Sequence, residues 1–267
     1  MKPSVRLQPP NNLPLRVVLI ALFVSQIVGA VGLVGYLSFR NGQKAVNELA
    51  TQLRHEVTAR IERELKGYFE TPHEINRLNA SAFARGMVDV EGASFGESQL
   101  NQQMQIAPTI ALAYCGSARN GEFFGVLRSP ENGALQLTYS NPSTQNLRQY
   151  YSLDIRGQRA NFLYQTDTPY DSRQRPWYRA ASLAERPSWT DIYIAFTTGL
   201  PNITASLPVY DRSGKDVIGA CATDVVLPEE FRTFLQSLQI GLTGQAFVID
   251  RQGQLISNSI VEPLMVS

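Results

Sequence analysis

The chain is poor in the residues that bind metals and carry acid–base chemistry. Its 267 residues include two cysteines and two histidines. These are Cys115, Cys221, His55 and His73, and without a Cys-x-x-Cys pair a structural zinc site is close to excluded. Charge of one sign is also lacking: 24 Lys and Arg stand against 23 Asp and Glu, a formal net charge of +1. No basic run interleaves with aromatics, which argues against nucleic acid as a partner. No Gly-x-Gly-x-x-Gly, Walker loop, Gly-x-Ser-x-Gly or Asp-x-Asp calcium loop occurs, and no cofactor is implied. His55-Glu56 makes no metalloprotease motif, because Ala59 stands where the second histidine is needed. It also lacks the nearby proline of a kinase phosphoacceptor box, which leaves a solvated histidine. What the chain does have is 43% hydrophobic and 18% charged residues, enough to bury a core in one or two domains.

From Val17 to Phe39 the sequence is apolar apart from a few uncharged polar residues, Ser25 and Gln26 among them, a run that as a helix spans roughly 35 Å and is long enough to cross a bilayer. A cleaved signal peptide is the rival reading, but the run exceeds a normal signal core and Tyr36 to Arg40 offers no small-residue cleavage pattern. Gly29, Gly32 and Gly35 share one face that would let a partner helix approach closely. Lys2, Arg6 and Arg16 precede the run while Arg40, Lys44 and Arg54 follow it, so the positive-inside count is tied. A cytoplasmic residue 1–16 segment is the orientation preferred. Beyond Arg40, Val46, Leu49, Leu53, Val57, Ile61, Leu65 and Tyr68 recur at three or four residues, the pattern of an amphipathic stalk helix over 40–86. Thr71-Pro72 is expected to break or kink it. Such a helix either pairs with its copy in a homodimer or lies against its own domain.

From Ile106 the pattern changes to short β-rich runs separated by turn pairs. Thr109 to Gly116 and Phe123 to Leu127 flank Asn120-Gly121, a two-residue hairpin signal, and Asn132-Gly133 turns the chain before Leu135 to Tyr139. Gln149 to Tyr170 is aromatic and less regular. A helix near Pro176 is followed by strands at Ile192 to Thr197, Ile203 to Val209 and Val217 to Val226, and a helix at Pro228 to Leu238 closes the unit. The class is α+β, an antiparallel sheet with a long leading helix. A further hairpin, Gln245 to Asp250 and Gln254 to Ser257, opens a second unit over 240–267.

One stretch concentrates recognition chemistry: Tyr170 to Tyr178, reading Tyr-Asp-Ser-Arg-Gln-Arg-Pro-Trp-Tyr. Arg175 can fork two hydrogen bonds onto a carboxylate, with the Trp177 indole N–H and a tyrosine hydroxyl as further donors. Equally, Arg-Pro-Trp-Tyr can be a helix start with its aromatics buried and an arginine stacked on them.

With helix, sheet and this stretch together, the chain resembles the extracytoplasmic part of a double Cache receptor, from about Arg40 onward. The resemblance rests on Tyr170, Arg175, Trp177 and Tyr178, followed by Tyr193 and by Asp224 in Ala222-Thr223-Asp224-Val225. It implies a membrane-distal PAS-like ligand module over 87–239 and the beginning of a membrane-proximal one over 240–267. It also implies that the first three residues hold a ligand carboxylate while Tyr193 and Asp224 face an ammonium. One position departs: Ala195 stands where the family pattern has an acid. Asp191 points to the same face of the expected strand, about 13 Å away. The span and stalk look most like those of cyanobacterial sensor histidine kinases and nucleotide cyclases.

The reading preferred is therefore the small-ligand input region of a receptor in the cell membrane, with no enzymatic activity of its own. A truncated, non-signalling fragment and a membrane-anchored enzyme are the alternatives, and the latter lacks any paired nucleophile and base. Cys115 and Cys221 fall on strands that neighbour one another in a PAS-like sheet. Two buried free thiols are the expected state, since a bridge needs Cβ atoms within about 4.5 Å.

Overall fold

The apolar run and the stalk periodicity become one element. In the computed structural model, which describes residues 14–197, 199, 201–226, 232–233, 235–238, 244–249, 253 and 255–260, helix α1 extends from Leu15 to Ala84. The chain divides into two units, Met1–Arg60 and Ile61–Ser267. Within the first, the helix is long and apolar enough to cross a membrane by length and composition, and Val46, Leu49 and Leu53 are exposed along it.

The expected break at Thr71-Pro72 does not occur: Pro72 lies inside α1. Tertiary packing overrides the local preference there. The Thr223 hydroxyl lies 3.0 Å from the Pro72 carbonyl and 3.2 Å from Asn76 Oδ1, and Asn76 Nδ2 donates to the Ala205 carbonyl at 2.8 Å. Asn76 is fully buried, and Ile75 and Ala82 are buried in the same core, so the helix is fixed through the proline by the Thr223 side chain and the Ala205 carbonyl of the sheet. A second helix, α2 (Glu97–Ile106), was not expected from the sequence. It is short and rich in Asn and Gln, and only Leu100 and Met104, one turn apart, mark its buried apolar face. Gly96 precedes it at φ 112°, a conformation L side chains avoid, and a Cβ there would press on Val88.

The strands are β1 (Ile110–Ser117), β2 (Phe123–Arg128), β3 (Leu135–Ser140), β4 (Leu147–Leu153) and β5 (Arg159–Pro169). After helix α3 (Pro176–Ala184) come β6 (Ser188–Trp189), β7 (Tyr193–Ile194), β8 (Pro201–Tyr210) and β9 (Val217–Val226). Among the described residues they form one antiparallel sheet in the order β5-β4-β3-β2-β1-β9-β8-β6, with β7 also on β8. The aromatic stretch after Gln149 is the β4–β5 hairpin. The Asn120-Gly121 connection is longer than the two-residue turn expected, because Ser117 N–H donates to the Glu122 carbonyl at 3.0 Å while β2 begins at Phe123. The strand expected over Ile192 to Thr197 shrinks to β7, and Asp191 lies before it, exposed. Of the helix expected at Pro228 to Leu238, residues 232–233 and 235–237 are helical and the rest of its start lies outside the described residues. The late hairpin is present as β10 (Phe247–Ile249) and β11 (Leu255–Asn258), its turn at 250–252 likewise outside them.

Period-two alternation sorts the central strands between two cores. Ala113, Cys115 and Cys221 join Leu100, Met104, Ile75 and Ala82 on the face covered by α2 and the end of α1. Leu112, Tyr114, Ala220 and Ala222 join Trp177, Tyr178 and Ala181 on the face covered by α3.

The expectation of free thiols is overturned, since Cys115 and Cys221 form a disulfide. They stand directly opposite in the β1–β9 register with Cα atoms 4.0 Å apart, so both side chains leave the same face of the sheet. The bridge closes a loop with a sequence separation of 106, which on the chain-entropy account stabilises the fold by about 4–5 kcal/mol. Denatured, unreduced protein is expected to show no free thiols, and reduction is expected to lower the unfolding free energy by about 2–5 kcal/mol. Two titratable thiols before reduction would refute the bridge.

Candidate ligand-binding site

On the α3 face, neighbouring strands carry hydroxyls and one carboxylate to a common point. Register pairs Asp224 of β9 with Leu112 of β1 on one side and Thr204 of β8 on the other. Asp224 Oδ1 accepts from the Thr204 hydroxyl at 2.6 Å and from the Tyr114 hydroxyl at 2.8 Å. Tyr193 Oη lies 2.8 Å from Thr204 Oγ1; because the Thr204 proton goes to Asp224, Tyr193 is the donor. Burial pushes the Asp224 carboxyl up to about 6, against the pull of the Thr204 and Tyr114 hydrogen bonds and the positive charge of Arg148. Burial also raises the Tyr114, Tyr170 and Tyr193 phenols, so all three remain neutral hydroxyls at physiological pH.

The 170–178 stretch supplies the opposite wall. Asp171 caps a 3-10 turn at Ser172–Gln174 and pairs with Arg173 at 2.8 Å, which commits that arginine away from the sheet. Pro176 opens α3 and restricts the residue before it, so Arg175 is extended at φ −87°, ψ 149°. Trp177 packs edge-on to Tyr114 with ring centroids 4.8 Å apart, and its indole N–H donates to Tyr170 Oη at 3.2 Å. Gly116 makes this approach feasible, because a Cβ there would lie 2.6 Å from Ser172 Cβ and 2.8 Å from the Trp177 ring.

Tyr170, Arg175, Trp177, Tyr193 and Asp224 all line one cavity, together with Leu112, Tyr114, Arg148, Phe196 and Thr197. Its free volume is about 10 Å³. Tyr178 is not at this cavity. It is buried behind Trp177, ring centroids 5.4 Å apart. Nor is Asp191, while Ala195 is buried close to the wall formed by Phe196 and Thr197.

Sequence reasoning missed Arg148. This guanidinium is 1% exposed, lies 4.1 Å from the Phe123 ring centroid and 4.9 Å from that of Tyr170, and donates from Nη1 to Thr197 Oγ1 at 2.7 Å. The available signal was its phase: Arg148 and Tyr150 are the two buried positions of β4, so an arginine stood where the alternation called for a core residue.

The fold defines a class, a PAS-like α+β sheet module, with an aromatic and charged cluster on one sheet face. Residues 126–229 match the family described as methyl-accepting chemotaxis protein-like, first PDC sensor domain. The methyl-accepting chemotaxis protein McpA of Pseudomonas putida is 37% identical over 87 residues, which are 33% of this chain and 13% of that protein. The sensory domain of the Campylobacter jejuni chemoreceptor Tlp3 superposes with a TM-score of 0.52 at 14% identity, over 76% of this chain and 69% of that one. The ligand-binding domain of the Pseudomonas aeruginosa amino acid chemoreceptor PctC, solved with GABA, gives 0.45 at 20% identity over 75% and 70%. Together the sequence matches and the fold support a Cache-type sensory input region.

Asp224 makes a testable signature. The folded state holds its proton up to about pH 6, whereas an unfolded chain releases it near 3.8. Between these values the native state binds more protons, so this group's contribution is full below about pH 4 and is lost as pH rises through about 6. Urea denaturation of wild type and Asp224→Asn is expected to show the variant gaining on wild type by about 2–3 kcal/mol between pH 4 and 7.5. A stability difference that does not change with pH would contradict the assignment.

Proposed function

We propose that this chain is the extracytoplasmic input region of a membrane receptor and that it binds a small carboxylate ligand, amino-acid-like or simpler, in the cavity beneath α3. The observation carrying this reading is the convergence of Arg175, Tyr170, Trp177, Tyr193 and Asp224 on one cavity from four separate elements of chain. Arg175 is half-buried over the Tyr170 and Phe196 rings, positioned to fork onto a carboxylate at the rim. Because Trp177 donates to the Tyr170 oxygen, the Tyr170 hydroxyl proton is directed to the ligand. Asp224 lies at the floor and, once ionised, pairs an ammonium; Tyr178 supports Trp177 from behind. With Ala195 in place of a second acid, the site favours ammonium less than the family pattern does. A ligand larger than one water must push Phe196 and Thr197 outward.

The apolar part of α1 crosses the lipid bilayer once in this reading, with everything from Arg40 outside the cytoplasm, and two copies pair along the span and stalk. The chemotaxis-receptor matches favour a methyl-accepting output over a kinase or a cyclase. No residue of the cluster is assigned a catalytic role.

Thermal-shift and calorimetric screening of amino acids, amines and small organic acids tests the site. Arg175→Ala is expected to weaken any carboxylate hit by about 2–5 kcal/mol, which abolishes a micromolar interaction. Amine-bearing hits are expected to tighten as pH rises through about 6, where Asp224 ionises. Hits of unchanged affinity on Arg175→Ala would move the site elsewhere. A destabilised variant with no hit on wild type would leave the cluster as packing.

A further inference from the structure

Resting on the carboxylate site just proposed, we infer that Arg148 is a specificity-determining residue and that the ligand class is a small dicarboxylate. The charge inventory carries this. Among the described residues the cavity is lined by two guanidinium groups, Arg148 and Arg175, and one carboxyl, Asp224. Both arginines approach the same two rings. The Arg148 Cζ is 4.9 Å from the Tyr170 centroid and 5.9 Å from that of Phe196, and the Arg175 Cζ is 5.3 Å and 4.8 Å from them. Arg175 is half-buried at the rim and Arg148 is 1% exposed below it.

A buried guanidinium is costly unless an anion or a full set of acceptors meets it. Arg148 has neither. Of its five N–H donors, Nε reaches Thr138 Oγ1 at a long 3.3 Å and Nη1 reaches Thr197 Oγ1. Nη2 is buried and has no partner among the described residues. No carboxylate lies within ion-pair distance of it among those residues. Asp224 acts on Arg148 only at longer range, its Oδ1 being held by Tyr114 and Thr204. The flanking rings of Phe123, Tyr150 and Tyr170 offset part of the desolvation through their quadrupoles but accept no fork.

A simple zwitterionic amino acid matches Arg175 and Asp224 and leaves Arg148 uncompensated. A second carboxylate on the same ligand accepts from Arg148 Nη2 and neutralises the excess positive charge in a desolvated site. An acidic amino acid such as L-glutamate thus balances the two guanidinium groups and Asp224, whereas an amine-free dicarboxylate balances them only while Asp224 keeps its proton, and Ala195 in place of a second acid lessens the demand for an ammonium.

Isothermal titration of the full 267-residue chain in detergent micelles, with length-matched pairs, tests this: succinate against butyrate, and L-glutamate against L-norvaline. The dicarboxylate of each pair is expected to bind about ten-fold to a hundred-fold more tightly, the worth of one charge-assisted hydrogen-bonded contact. Arg148→Gln is expected to erase that ratio, and Arg148→Lys to keep part of it. Equal affinities within each pair on wild type, or a ratio untouched by Arg148→Gln, would overturn the inference while leaving the carboxylate site standing. No binding by any of the four ligands would overturn both. If Arg148→Gln fails to fold, the wild-type ratio and the Arg148→Lys variant still decide.

Discussion

Desolvation of charge is the constraint around which the sheet is arranged. A carboxyl at position 224 sits toward the end of β9, paired across to β1 and β8, and is buried. It persists there because Tyr114 and Thr204, on those two strands, each place a hydroxyl on the same oxygen. The Thr204 hydroxyl is in turn met by Tyr193 from β7. This chain of hydroxyls links four strands, so the register of the central sheet and the position of the site are one structural fact. Arg148 is the second buried charge on this face, cushioned by aromatic rings rather than by acids. Among the described residues this face buries both signs of charge without an ion pair between them.

The opposite face supplies rigidity. There Leu100, Met104, Ile75 and Ala82 pack on Ala113, Cys115 and Cys221, and the disulfide crosses β1 and β9 at a point backing onto the Asp224 side. Thr223, the neighbour of Asp224 in β9, points to this second face and reaches Pro72 and Asn76 of α1. Adjacent residues of one strand therefore touch the candidate ligand site and the helix. The candidate site and α1 are thus joined through one strand and a buried hydrogen-bonded contact, without a loop between them.

Much of the sheet was legible because its strands are short β-rich runs separated by turns with Asn-Gly and Asp-Arg-Ser-Gly signals; β8 and β9 follow their expected bounds closely. Where the reading failed, a distant partner decided. Pro72 stays helical because Thr223 and Asn76 hold it. Asn- and Gln-rich α2 is helical because Leu100 and Met104 find the sheet. The β7 region pairs with β8 over two residues only, Tyr193 and Ile194 against Asn202 and Pro201. The disulfide depended on an exact register that neighbouring strands alone do not specify. The site divides the same way. Its residues at 170–178 form a local cluster visible by composition, whereas Arg148 looked like one more polar position in an aromatic hairpin until folding turned it inward.

The central claim is that small carboxylates enter the cavity walled by Trp177, and the chain provides its own reporter. It has two tryptophans, and Trp189 lies beside Phe69 and His73 instead, outside the cavity lining. Replacing Trp189 by Phe leaves Trp177 as the single emitter. Titration of that variant with succinate is expected to give a saturable change in Trp177 emission that disappears when Arg175 is also replaced by Ala. A folded, cooperatively melting single-tryptophan protein whose emission does not respond to succinate, or responds equally without Arg175, would contradict the account.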